Sequence, residues 1–138
     1  MTSTTRRLAI AVGMLTLACT NPPVASLIPP PPPPVPRFTL ALREGGVQRI
    51  SQGEVLALTL LATREPGFDD PITFSATTPP GVVLVFRPPM ILSREDSEIR
   101  VVVDTSAART RHRITLRGTD PAGATRDVVL ELTVDEGR

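Results

Sequence analysis

From Phe38 onward the apolar residues recur at every second position, a period that admits β-strands and excludes amphipathic helices. Phe38, Leu40 and Leu42 alternate with Thr39 and Ala41; Leu56, Leu58 and Leu60 with Ala57 and Thr59; Ile72, Phe74 and Ala76 with Thr73 and Ser75. Further on, Ile99, Val101 and Val103 share one side, and Ile114 and Leu116 sit between Arg113, Thr115 and Arg117. The last such segment places Val128, Leu130, Leu132 and Val134 between Val129, Glu131 and Thr133. An extended chain turns successive side chains to opposite faces, so each segment has one apolar face and one charged or hydroxylic face. That is the pattern of antiparallel sheets that share a core on one side and meet water on the other.

Turn residues punctuate these runs: Glu44-Gly45-Gly46, Ser51-Gln52-Gly53, Glu65-Pro66-Gly67, Pro79-Pro80-Gly81, Pro88-Pro89 and Asp120-Pro121-Ala122-Gly123. Seven or eight short strands at roughly ten-residue intervals predict an all-β fold, a sandwich of two sheets, with no helix longer than a turn. A domain of about a hundred residues buries roughly 65% of its unfolded surface, enough for one core without disulfides. Cys19 is the only cysteine in the chain.

Ahead of the strands the composition changes. Prolines stand at 22, 23, 29 to 34 and 36, and six in succession exclude both helix and sheet, since each lacks an amide hydrogen and has its φ fixed. At about 3.1 Å per residue, the segment from Asn21 to Pro36 spans roughly 45–50 Å as a semi-rigid spacer. The alternative is a PxxP-type ligand for an aromatic groove.

At the start, Arg6 and Arg7 precede an apolar run from Leu8 to Ala18 that ends at Cys19. Eleven helical residues at about 1.5 Å each cover roughly half of a ~30 Å hydrocarbon core, too little for a stable span. A basic flank and a short apolar core are what the secretion machinery reads. Leu15, Thr16, Leu17, Ala18 and Cys19 resemble the lipobox of bacterial lipoproteins, although Thr16 departs from the leucine commonest at its place. The resemblance implies cleavage between Ala18 and Cys19, acylation of Cys19 and a membrane partner reached through the lipid. It divides the chain into a signal peptide (1–18), the lipidated cysteine with a proline-rich linker (19–36) and the sandwich (37–138). Thr20, where an aspartate would retain the protein at the inner membrane, implies the outer membrane or cell surface. The alternative is an ordinary signal peptide, which would leave a secreted soluble domain.

The strand region has its own landmarks: Gly53, Gly67-Phe68, Pro71-Ile72-Thr73-Phe74-Ser75, Pro80-Gly81-Val82, Phe86 with Pro88, Ile114-Thr115-Leu116-Arg117-Gly118 and Leu130-Glu131-Leu132-Thr133-Val134. From Phe38 to Val134 the chain resembles the immunoglobulin-like repeat modules of secreted bacterial proteins. The resemblance implies an immunoglobulin-like antiparallel β-sandwich. It transfers no function, since sites are grafted onto such folds independently.

Composition excludes several activities. The formal charge is +1, and removal of Arg6 and Arg7 with the signal leaves a net charge of −1, so no basic surface calls for nucleic acid. All basic residues are arginine, which removes any lysine Schiff base or lysine general base. Tryptophan and tyrosine are absent, which argues against a sugar site built on stacked rings.

His112, the single histidine, shares the face of Ile114 and Leu116, near the strand entry where immunoglobulin-like domains hold a tyrosine against backbone. An imidazole donating to a carbonyl serves the same end. A triad needs a nucleophile and an orienting acid, and Ser106 and Asp104 come without a nucleophile motif, so no catalytic residue is assigned. Asp69, Asp70, Asp104 and Asp120 lie in turns or at strand ends, where aspartates bond their own backbone. No calcium-loop motif is present and no metal or other cofactor is expected. Arg94-Glu95-Asp96-Ser97-Glu98 reads as a solvated loop, with nothing apolar beside it to raise a carboxyl pKa. Arg109, Arg111, Arg113, Arg117 and Arg126 fall on or near the outward faces of two late strands. They serve either an anionic envelope polymer or acidic partner, or cross-strand pairs with Glu131 and Asp127, and the second is the simpler account.

The sequence therefore predicts a non-enzymatic envelope lipoprotein that displays one immunoglobulin-like module on a proline stalk for contact with a protein or envelope polymer. No small-molecule substrate is evident. The alternative is an accessory subunit of a larger secreted or membrane complex.

Overall fold

The computed structural model describes residues 28–93 and 95–137. Ala18 and Cys19, and with them the predicted cleavage and lipidation site, lie outside the described residues. Residues 28–37 have no regular secondary structure, and Pro29 to Pro34 are exposed. A compact unit runs from Pro32 to Arg138.

Nine strands form it: β1 (Phe38–Leu42), β2 (Val47–Ser51), β3 (Val55–Arg64), β4 (Ile72–Thr77), β5 (Val82–Arg87), β6 (Met90–Ile91), β7 (Asp96–Val103), β8 (Arg111–Thr119) and β9 (Thr125–Asp135). They make a four-stranded sheet in the order β1-β3-β7-β5 and a five-stranded sheet in the order β2-β9-β8-β4-β6. The order is that of an immunoglobulin-like sandwich, with the first, third, seventh and fifth strands in one layer and the last two beside the fourth in the other. The sheets are antiparallel except at one place: β2 runs parallel to β9, pairing Val47 with Glu131 and Ile50 with Val134. The turn at Glu44-Gly45-Gly46 moves the chain from the edge of one sheet to the edge of the other, and β2, which the sequence reading did not name, follows it.

The core lies where the alternation placed it. Leu58, Leu60, Ile99 and Val101 of the first sheet face Ile114, Leu116, Leu130 and Leu132 of the second, all within 1% of complete burial. Each such side chain stabilises the fold by about 1.5–3 kcal/mol relative to exposure. Phe74 on β4 meets Phe86 on β5 at 5.8 Å between ring centroids, which ties the two sheets together at one side. At another place Phe68 stacks on Phe38 at 6.0 Å, with the guanidinium groups of Arg64 and Arg37 5.5 and 5.9 Å from its ring. Every residue of this core lies between Phe38 and Val134.

Gly118 sits inside β8 because its neighbours leave no room: a Cβ there would lie 3.0 Å from the Phe38 ring and 3.1 Å from Ile72 and Leu40. One sequence expectation is corrected. Asp96, Ser97 and Glu98 belong to β7 and are not a solvated loop; Ser97 is buried and its hydroxyl donates to the Pro88 carbonyl at 2.7 Å. Strand pairing with β3 and β5 draws this polar run into the sheet. Arg94 is outside the described residues.

Candidate functional site

The two outer faces of the sandwich differ in chemistry. On the five-stranded sheet the register sets Ser75, Arg117 and Asp127 side by side, then Thr77, Thr115 and Val129. Ser75, Ala76, Thr77, Thr115, Arg117 and Asp127 line a shallow depression of about 520 Å³. Arg117 donates to both carboxylate oxygens of Asp127, at 2.7 and 2.8 Å, a two-pronged pair that orients both groups. The hydrogen bond and charge of Arg117 hold the Asp127 carboxyl below its usual range, and Asp127 in turn raises Arg117. Hydroxyls around a fixed arginine and carboxylate can bind a polar or hydroxylated surface through hydrogen bonds; nothing here activates a nucleophile.

Further along the same face stand Arg111, Arg113 and Arg49, around Thr133 and Glu131. Arg111 lies 3.9 Å from Glu131, and Arg109, in the preceding loop, lies 3.0 Å from Glu136 and donates to Gln52 at 3.2 Å. The cross-strand account of these arginines thus holds for Arg111 and Arg117. Arg126 is exposed at the start of β9 and bonds backbone rather than an acid. It pairs with Gly118, whose position turns inward, and its Nε donates to the Phe38 carbonyl at 3.3 Å.

The four-stranded sheet presents an apolar row on its outer face. Val102 on β7 stands between Val55 on β3 and Val83 on β5, and the three are 39, 60 and 56% exposed. Val85 continues the patch at 39% exposure, beside Arg100, which is paired to Glu98 at 2.6 Å. Sequence reasoning named the inward residues of β7 and passed over these. The signal was present in the unbroken apolar runs Val82 to Phe86 and Val101 to Val103, since a strand apolar on both sides has both faces to cover.

The catalytic-type side chains are engaged with their own loops. His112 Nε2 lies 2.9 Å from the Ala108 carbonyl, which makes that nitrogen the donor. Asp104 accepts from both the Ser106 amide (2.8 Å) and the Ser106 hydroxyl (2.6 Å), and the latter bond above all holds its pKa down. Asp120 is buried and accepts from the Ala124 amide at 2.8 Å. The Asp70 carbonyl, rather than its carboxylate, is bonded, to Arg64 Nη1. Arg64, absent from the sequence reading, also donates to the Ile91 carbonyl at 3.2 Å and so ties β3 to the loop before β4 and to β6. Among the described residues no three histidine, cysteine or acidic side chains are grouped to hold a metal ion.

No family model matches this chain, and no curated protein matches it in sequence. Solved structures do match in fold. The S-layer protein rSbsC(31-844) superposes with a TM-score of 0.54 at 13% identity, over 72% of this chain and 13% of that one. Domains 4 and 5 of S-layer protein SbsC give 0.52 at 15% identity, over 70% of this chain and 44% of theirs. The BIgI domain of beta protein from S. agalactiae, solved bound to CEACAM1, gives 0.49 at 13% identity, over 73% and 99%. The chain thus spans less than half the length of the S-layer structures it resembles. The likeness is one of fold, an immunoglobulin-like sandwich.

Proposed function

We propose that this protein is a non-enzymatic envelope lipoprotein whose immunoglobulin-like module, held off the membrane by the proline segment, makes contact with a protein or envelope polymer. The observation that carries the contact role is the engagement of His112, Asp104 and Asp120 with neighbouring backbone or side chains, while the hydroxyl-arginine depression stays open on the outer face. The anchor rests on Leu15 to Cys19 alone, where sulfur acylated with two or more chains binds a bilayer stably. The S-layer setting of similarly folded domains supports a surface location.

Mass analysis of the protein from its native membrane tests the anchor. The expected product begins at Cys19 and carries the mass of its acyl chains, and Cys19→Ala moves the protein out of the membrane fraction. A bare terminus or an uncut leader overturns the anchor. The accessory-subunit reading is supported instead by a stoichiometric large partner that copurifies with the lipidated protein.

A further inference from the structure

We propose that β5 pairs with β5 of a second copy, antiparallel about a two-fold axis at Leu84, joining two four-stranded sheets into one of eight strands. β5 is an edge strand. The direction of its polar groups follows from its neighbour. Val103 donates its amide to Glu54 (3.1 Å) and accepts at its carbonyl from Gly53 (2.8 Å), so both its polar groups face β3, away from β5. The Asp104 amide donates to the Gly81 carbonyl at 2.8 Å. With Val82 opposite Val103, alternation directs the polar groups of Gly81, Val83 and Val85 to β7, and those of Val82, Leu84 and Phe86 to the open edge. The Val82 amide is taken by the Pro79 carbonyl at 3.2 Å. The Val82 carbonyl and both groups of Leu84 and Phe86 have no protein partner among the described residues.

The other edges are protected. On β1, Arg126 donates to the Phe38 carbonyl; on β2, the Ser51 amide donates to the Glu54 carboxylate at 3.1 Å; β6 is two residues long and follows two prolines. β5 has six residues, five of them apolar, and no proline, lysine or inward charge, the devices that keep edges from pairing.

A second copy fits this edge in a particular register. With Leu84 opposite Leu84 of the other chain, the two residues exchange both hydrogen bonds, and each Phe86 amide reaches the Val82 carbonyl across the axis. Val83 then faces Val85 of the other copy on the outer side, which extends the Val55-Val102-Val83 row, and Val82 faces Phe86 on the inner side. Arg87 falls opposite Gly81, which has no side chain, and the two Arg87 groups lie roughly 20 Å apart at about 3.4 Å per residue. Moving the axis to Val85 sets Arg87 against Val83 instead. A two-fold interface of this kind uses one patch twice.

The test is sedimentation of the chain from Pro32 to Arg138, which contains the whole core. The expected mass rises toward that of two chains as concentration increases. Val83→Lys with Val85→Lys, both exposed and outward, places like charges across the seam twice and leaves one chain, while circular dichroism stays that of the parent. Val83→Glu with Val85→Lys places opposite charges there and restores the two-chain mass. A parent mass that stays at one chain up to its solubility limit overturns the proposal, including where the edge instead binds an added apolar peptide. Failure of the opposite-charge pair to restore association overturns the register and with it the two-fold axis.

Discussion

Gly81 carries two demands at once, a φ of +80° and a close approach in which a Cβ would lie 2.8 Å from the Ala107 Cα. The turn it makes delivers the chain into β5 and sets the Asp104 bond described above. Gly123 has a similar φ, +85°, with nothing within 4 Å of its would-be Cβ. Backbone strain alone costs about 1–2 kcal/mol at such a residue. Gly123→Ala is therefore expected to lose about that much in urea denaturation, and Gly81→Ala clearly more, because the Ala107 backbone must also move. Equal losses would show that the approach to Ala107 carries no weight.

At the scale of elements, the β8–β9 hairpin is held by a buried aspartate. The Asp120 amide donates to the Ala124 carbonyl (3.0 Å), the Asp120 carbonyl accepts from Gly123 (3.0 Å) and the carboxylate accepts from the Ala124 amide. Asp120→Ala leaves that amide buried without an acceptor, at a cost of about 1–3 kcal/mol, whereas Asp120→Asn keeps an acceptor and is expected to recover most of the loss. Chemical denaturation of both variants reads the difference. The turn was legible from Asp120-Pro121-Ala122-Gly123, since turn chemistry is local. The reach of Arg64 from β3 to Asp70 and Ile91 was not, because its partners are neighbours only after the sheets close.

For the whole molecule, acid is the expected weakness. Asp127, Glu98 and Asp104 are all held below their ordinary pKa, chiefly by bonds from Arg117, Arg100 and Ser106. Burial pushes Glu44 up, but the bond from the Thr59 amide (2.8 Å) and its neighbours bring it below its usual value too. A carboxyl with a lower pKa folded than unfolded adds stability above the unfolded value, and that stability is lost as pH falls through the folded one. The melting temperature is thus expected to hold near neutrality and to fall below about pH 4, with a shallower fall for Asp127→Asn. A melting temperature unchanged from neutral to about pH 3 would contradict this account.

Alternation of apolar and polar residues determined, without any coordinates, that this chain is a two-sheet sandwich and which side chains enter its core, because exposure in a strand follows from parity within a few neighbouring residues. Only the tertiary structure decided what those strands meet. It set β2 parallel to β9, brought Arg126 to the Phe38 carbonyl, drew Ser97 into β7 and aligned three exposed valines beside an open edge. Each of these depends on register between segments far apart in the chain, and shifting a strand by one residue would reverse every face.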